Sequence, residues 1–273
     1  MASIISGSVT GADGWERGAL PPAKQGEAAI PSAPDPRSLD VLICRLESIA
    51  SLSDEERDAI RSLPAKTRVL KPGQDIVRDG DKPSQCCLLL SGWACRYKQL
   101  ENGRRQIFSF HIPGDIPDLQ SLHIHTMNHS LATLTESTVA FIQHESLLDL
   151  IERFPRLAAI LWRETLNDAA AFREWMIGIG RRTAFERMAH LFCELYLRLQ
   201  AVGLARSYRC PLPITQVELG DALGLSNVHI SRVLKEMREQ NLVTLRGGSL
   251  TIGAWDELTR AAGFDPTYLH LEK

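Results

Sequence analysis

Two stretches of the chain carry side chains whose types and spacing could do chemistry. The first, "GDIPDLQSLHIHTMNHS" from Gly114 to Ser130, holds His123, His125 and His129 beside the carboxylates Asp115 and Asp118. Imidazoles and carboxylates are ligands for zinc, and imidazole also ligates haem iron. The second lies in "ITQVELGDALGLSNVHISRVLKEMREQNLVTLRGGSLTIG". There Asn227, His229, Ser231, Arg232 and Lys235 supply amide, imidazole, hydroxyl and cationic donors within one short run, the groups that contact phosphates and base edges.

The metal reading of the first stretch is weak. His123-x-His125 suits a strand, but the wider spacing to His129 brings no closed fourth ligand. No local motif requires a haem at His111, His123, His125 or His129. The six cysteines, Cys44, Cys86, Cys87, Cys95, Cys193 and Cys210, contain no CxxC pair. In a reducing compartment they read as buried small hydrophobes, with Cys86 and Cys87 on opposite faces of a strand. No Ser/His/Asp, P-loop or zinc-hydrolase spacing appears. Neither an enzyme, a bound metal nor a cofactor is expected.

The 273 residues are 44% hydrophobic and 23% charged, as in a soluble globular protein of two ordinary domains. No apolar run approaches the roughly 18 residues of a membrane span, and no secretory signal is evident. A cytoplasmic location without membrane contact is the expectation. The net charge is −2, but from Arg181 to Arg246 ten Lys and Arg face six Asp and Glu. This locally basic segment suits a phosphate-rich partner.

Residues 1–37, rich in Gly, Pro, Ala and Ser, read as a disordered tail. Helical spacing follows from Leu39 to Leu63, with Ser53 as a helix N-cap. From about Thr67 to Gln143, short alternating segments are separated by Gly-containing turns. This is the pattern of an antiparallel β-roll. Asn102-Gly103 predicts a tight hairpin in which both residues take positive φ. A long helix starts at Pro155 and runs towards Ile179. On it Ala158, Trp162, Thr165, Ala169, Phe172, Met176 and Ile179 are spaced alternately by four and three residues, a heptad seam. The seam either packs on the chain's own β domain or meets a second copy, and the second is favoured. It ends at "IGIGRR", where Gly178 and Gly180 predict a hinge.

Beyond an amphipathic helix from Arg182 to Leu199, Thr215 and Glu218 form a capping box for a helix reaching Leu223. Gly224 ends that helix, and Ser226 caps a second to about Gln240. Ile230, Val233, Leu234 and Met237 make its buried face. Asn227, Val228, His229, Ser231, Arg232 and Lys235 lie at or near its free end and outer face. Two short helices joined by a Gly-containing turn are a helix-turn-helix, whose second helix enters the major groove. A hairpin around Gly247-Gly248 forms a wing from which Arg246 reaches the DNA backbone. The fold class is therefore α+β. Residues 38–153 form a β-roll sensor, 154–180 a dimerisation helix, 181–264 a winged helix-turn-helix and 265–273 a C-terminal tail.

In this order of elements, and in "KPGQDIVRDGD", "LLLSGWACRY", "IPGD" and the helix-turn-helix itself, the chain resembles the Crp/Fnr family of bacterial transcription regulators from Leu39 to Phe264. The resemblance implies a homodimer on palindromic double-stranded DNA, a signal sensed in a cyclic-nucleotide-binding-like β-roll, and RNA polymerase as partner if the protein activates. Arg232 matches the family's guanine-reading arginine, and Ser231 the serine that precedes it in the Fnr-like branch. Val228 stands where the family has a glutamate, so the operator preference there differs. Thr215 and Arg246 complete the expected DNA contacts. In cyclic-nucleotide-binding members a Gly-Glu pair holds ribose and an Arg-Ser pair holds phosphate. Pro117-Asp118 and His129-Ser130 stand there, making Asp118, His129 and Ser130 the effector-pocket candidates, with cyclic AMP not expected to bind. A cysteine cluster is not expected, since Cys44 alone precedes the β-roll. The alternative reading is a metal- or small-molecule-binding sensor that acts through protein partners instead of DNA.

Overall fold

The computed structural model describes residues 36–271; the expected tail over 1–37 falls almost wholly outside them. Two short helices, α1 (Asp40–Glu47) and α2 (Asp54–Arg61), open the described chain. Ser53 caps α2 through a reciprocal box with Glu56, as its position before "DEE" predicts. Seven strands follow: β1 (Ala65–Leu70), β2 (Asp75–Val77), β3 (Gln85–Ser91), β4 (Ala94–Gln99), β5 (Arg105–His111), β6 (Ser130–Thr133) and β7 (Ser137–Gln143). They form two antiparallel sheets, ordered β1-β7-β3 and β2-β6-β4-β5. Val77, Cys87, Leu89, Leu131 and Val139 fill the roll between them. Cys86 faces the other way, into a helical layer with Leu42, Leu46 and Ile60. The adjacent cysteines are thus split by the pleat of β3, as strand geometry requires.

The turn at Asn102-Gly103 differs from the expected two-residue hairpin. Gly103 takes positive φ (80°) and Asn102 does not. Leu100 N–H donates to the Arg104 carbonyl, and Asn102 Oδ1 accepts from Arg104 N–H. The asparagine side chain closes a longer loop, so its backbone need not enter the left-handed region.

Helix α3 (His144–Arg153) leads into α4 (Pro155–Arg181), which carries Pro155 in its first turn. Leu157, Ile160, Leu161, Ala170 and Trp175 are its buried apolar face. The heptad seam points the other way: Trp162 is 68% exposed and Met176 60%, with Ala169, Phe172 and Ile179 also exposed and Thr165 half-buried. Packing among the described residues therefore leaves most of the seam uncovered. The expected hinge is displaced. Gly178 and Gly180 remain helical, and the break falls at Arg182. Its cause is Thr183, which caps α5 (Ala184–Ala201) in a box with Glu186 and sets the new axis.

The remaining elements are β8 (Arg209–Pro211), α6 (Gln216–Leu223), α7 (Asn227–Glu239), β9 (Val243–Arg246), β10 (Ser249–Ile252) and α8 (Trp255–Ala262). The wing sheet is ordered β8-β10-β9. Its third strand, β8, is three residues long and ends at Pro211. The C-terminal unit is not separate from the roll. Phe110 and Ile107 of β5 share one core with Phe192, Leu195 and Leu199 of α5 and with Leu219 of α6. Arg105 of β5 pairs with Asp221 of α6 at 2.8 Å, and Gln106 donates to the Ala222 carbonyl at 3.1 Å.

Candidate nucleic-acid interface and effector cavity

The local sequence builds the α6–α7 pair. Thr215 Oγ1 accepts from Glu218 N–H, and Glu218 returns the bond to Thr215 N–H at 2.7 Å. Gly224 ends α6 at φ 65°, the left-handed region that favours glycine. A Cβ at Gly220 would lie 2.6 Å from the Leu225 carbonyl oxygen, so only glycine lets the turn close this tightly onto α6. Ser226 Oγ then accepts from His229 N–H and starts α7.

Ile230, Val233 and Met237 anchor α7 in the core. Its outer side presents Asn227, Val228, Ser231, Arg232 and Lys235 to solvent, with His229 half-buried. Val228 is 80% exposed, an unusual setting for a large aliphatic side chain with little cover among the described residues. Lys235 makes a 3.7 Å surface pair with Glu239, too exposed to restrain it. Arg232 has no acidic partner among the described residues. Arg246 is exposed at the wing tip, next in sequence to Leu245, which lines the groove along α7. Thr215 is also exposed, though its hydroxyl already donates to Glu218 at 2.8 Å. The groove along α7 measures about 640 Å³ and includes Gln216 and Arg238, both exposed. Neither was singled out from the sequence. Their signal was available: Gln216 opens α6, and Arg238 follows Arg232 and Lys235 at helical spacing.

A second cavity of about 450 Å³ lies between the roll and the joint of α4 with α5. Phe108, His129, Phe172, Trp175 and Arg198 are among its walls. The three effector candidates do not converge on it. His129 lines it, edge-on to Phe108 at 5.4 Å, with its imidazole pushed down to about 4 by burial and by Arg96. Asp118 is buried behind the wall, where its Oδ1 accepts from Cys87 N–H at 2.8 Å. Burial outweighs that bond and pushes its carboxyl up to about 7. Ser130, at the start of β6, accepts from Asp79 N–H through its Oγ and so braces the turn after β2. Arg96, which borders the cavity, is committed to Asp168 at 2.8 Å and to the Pro117 carbonyl at 2.6 Å.

The other acid of the histidine-rich stretch is structural as well. Asp115 is ion-paired with Arg45 at 3.1 Å and Arg198 at 2.9 Å. Burial alone would raise its carboxyl, yet the two guanidinium groups hold it well below the usual range. His111 lies beside it, buried, between Ser109 and Asp115. His123 and His125 are exposed on the loop. Among the described residues, no three His, Cys, Asp or Glu side chains are arranged to hold a metal ion. None of the described helices is long and apolar enough to cross a membrane.

Two family models match the chain: a cyclic nucleotide-binding domain over residues 67–154 and a Crp-like helix-turn-helix domain over 186–261. The nitrogen fixation regulation protein FixK of Rhizobium meliloti is 31% identical over 185 residues, 67% of this chain and 80% of that protein. The transcriptional activator protein anr of Pseudomonas aeruginosa is 28% identical over 214 residues, 78% of this chain and 87% of that protein. Among solved structures, FixK2 from Bradyrhizobium japonicum is similar with a TM-score of 0.66 and 25% identity, covering 73% of this chain and 98% of that one.

Proposed function

Because the chain belongs to the Crp/Fnr family of DNA-binding transcription regulators, we propose that it acts as a homodimer on a palindromic operator. Each copy inserts the N-terminal end of α7 into a major groove. One observation carries this reading: α7 is anchored on one face and on the other, beside the wing, exposes Arg232, which has no acidic partner among the described residues. Arg232 reads guanine through two hydrogen bonds, and Val228 packs on a thymine methyl. Lys235, Arg238 and Arg246 contact phosphates, with Asn227, His229, Ser231 and Thr215 completing the polar contacts. The seam through Trp162, Thr165, Ala169, Phe172, Met176 and Ile179 joins the copies. When the bound protein activates, RNA polymerase is the partner that the family resemblance implies.

The cavity beside His129 is the effector site in this reading, and cyclic AMP is not its ligand. A cyclic phosphate needs free cationic donors. Here Arg96 is already neutralised by Asp168, and His129 is uncharged at neutral pH. Phe108, Ala169, Phe172 and Trp175 give the walls apolar surface beside the polar Gln120 and Asn128, which favours a compound with both apolar and polar parts.

A mobility shift of the full-length protein on promoter DNA tests the main reading. Retention should fall steeply with salt, as log K declines in proportion to the phosphates neutralised. Absence of any shift at low salt would favour action through protein partners instead.

A further inference from the structure

The described chain does not stop at the winged unit. After α8, Gly263 turns it back, and residues 264–271 run onto α4. Asp265 Oδ1 accepts from both the Thr267 N–H and its hydroxyl, at 2.9 and 2.6 Å, which sets a short 3₁₀ turn over Pro266–Leu269. Phe264 lies edge-on to His190 at 5.0 Å, and Tyr268 stacks on the same ring at 5.7 Å. Tyr268 donates its hydroxyl proton to Glu194 at 2.9 Å.

Glu194, fully buried on α5, is where three elements meet. The Oε2 that accepts from Tyr268 also accepts from the indole N–H of Trp175 on α4 at 2.9 Å. Its other oxygen faces Arg198 at 3.4 Å, and Arg198 pairs with Asp115 of the roll. Farther along the segment, the His270 carbonyl accepts from Arg163 on α4 at 3.2 Å. Arg163 also donates to the Ile49 carbonyl after α1. Leu269 is buried, and Leu271 packs into the helical layer with Leu42 and Ile60.

We propose that residues 264–271 form a strap across the hinge, fixing the angle between α4 and the DNA-binding unit. The segment starts on one side of the break at Arg182 and ends on the other. Its last anchor, Arg163, lies nineteen residues before Arg182, roughly 28 Å along a helix rising ~1.5 Å per residue. A restraint that far from the pivot limits rotation more than contacts beside it. In the strapped arrangement the outer side of α7 is open, so the strap pre-orders a binding-competent unit and does not block it. Pre-ordering lowers the entropic cost of docking two such units on one duplex.

The test compares the full-length protein with a Tyr268→Phe, Arg163→Gln variant and with a chain lacking residues 264–273. Trypsin cleavage after Arg181 and Arg182, and amide hydrogen exchange over residues 180–186, report the hinge. Both should quicken by about fivefold to tenfold, the scale of one or two net hydrogen bonds. Affinity for a duplex selected by the full-length protein should fall by a similar factor, with sedimentation unchanged. Should the shortened chain misfold, the doubly substituted one, which keeps every residue in place, decides. Hinge protection and affinity within about twofold of the parent, or tighter DNA binding, would overturn the strap. It rests on the DNA-binding reading for affinity alone: if the parent binds no DNA, that reading fails while cleavage and exchange still test the strap.

Discussion

At the scale of single residues, the candidate side chains separate by what already satisfies them. Arg232 has no acidic partner among the described residues, which leaves its donors for a base, whereas Arg96, Arg45 and Arg198 are spent on carboxylates. Arg232→Ala should therefore cost about 1–3 kcal/mol of specific binding per half-site. Affinity for scrambled DNA should change little. Unchanged discrimination between operator and scrambled duplex, measured by fluorescence anisotropy at fixed salt, would remove Arg232 as a base reader. Asp118 makes a different prediction. Burial raises its carboxyl to about 7, well above an unfolded aspartate. Between about pH 4 and pH 7 the folded protein holds a proton the unfolded chain has released, so this residue's contribution to stability declines as pH rises through that window. Asn at this position keeps an oxygen for the Cys87 N–H and cannot ionise. Asp118→Asn should equal the parent near pH 4 and unfold at a higher temperature at pH 8. A parent that stays the more stable at pH 8 would show that Asp118 ionises without penalty.

At the scale of elements, legibility follows locality. The boundaries of α6 and α7 are set by Thr215, Glu218, Gly224 and Ser226, each within a few residues of the end it makes. They could be read directly from the sequence. The β8 strand could not: it is short, carries Pro211, and pairs with β10 some forty residues later. The two hinge glycines misled because helix propensity is weak beside a strong cap, and Thr183 with Glu186 decides where α5 begins. The effector candidates failed to converge for a similar reason. Asp118 is claimed by the backbone of β3, thirty-one residues away, and no local pattern announces that bond.

The period of the α4 seam is local and so legible, and the described residues leave it largely bare. Phe172→Glu places two like charges near the twofold axis of the proposed dimer and removes an aromatic side chain whose full burial contributes about 1.5–3 kcal/mol. Sedimentation should show a shift from dimer to monomer. A thermal midpoint near that of the parent would confirm that the monomer still folds. A dimer that persists at micromolar concentration would place the contact between copies elsewhere.

At the scale of the whole molecule, the question is how freely each DNA-binding unit moves. The roll and the winged unit share a core through β5, α5 and α6. The Arg105–Asp221 pair and the buried Arg198–Asp115 pair tie the same surfaces. Breaking either partner of the buried pair would strand a charge, so undocking is costly. Two units held this way in a twofold dimer have one fixed separation, and a dimeric helix-turn-helix protein matches it to half-sites about one helical turn apart, roughly 34–36 Å. Inserting five base pairs at the centre of a selected operator turns one half-site to the opposite face of the duplex. A rigid dimer then engages one half-site only, and affinity falls by about two orders of magnitude as the gain from linked binding is lost. Units that swing on the hinge would follow the displaced half-site and lose far less. Measured by anisotropy across insertions from zero to ten base pairs, a sharp optimum at the native spacing is the expected result. A flat profile would mean that the shared core opens when DNA binds.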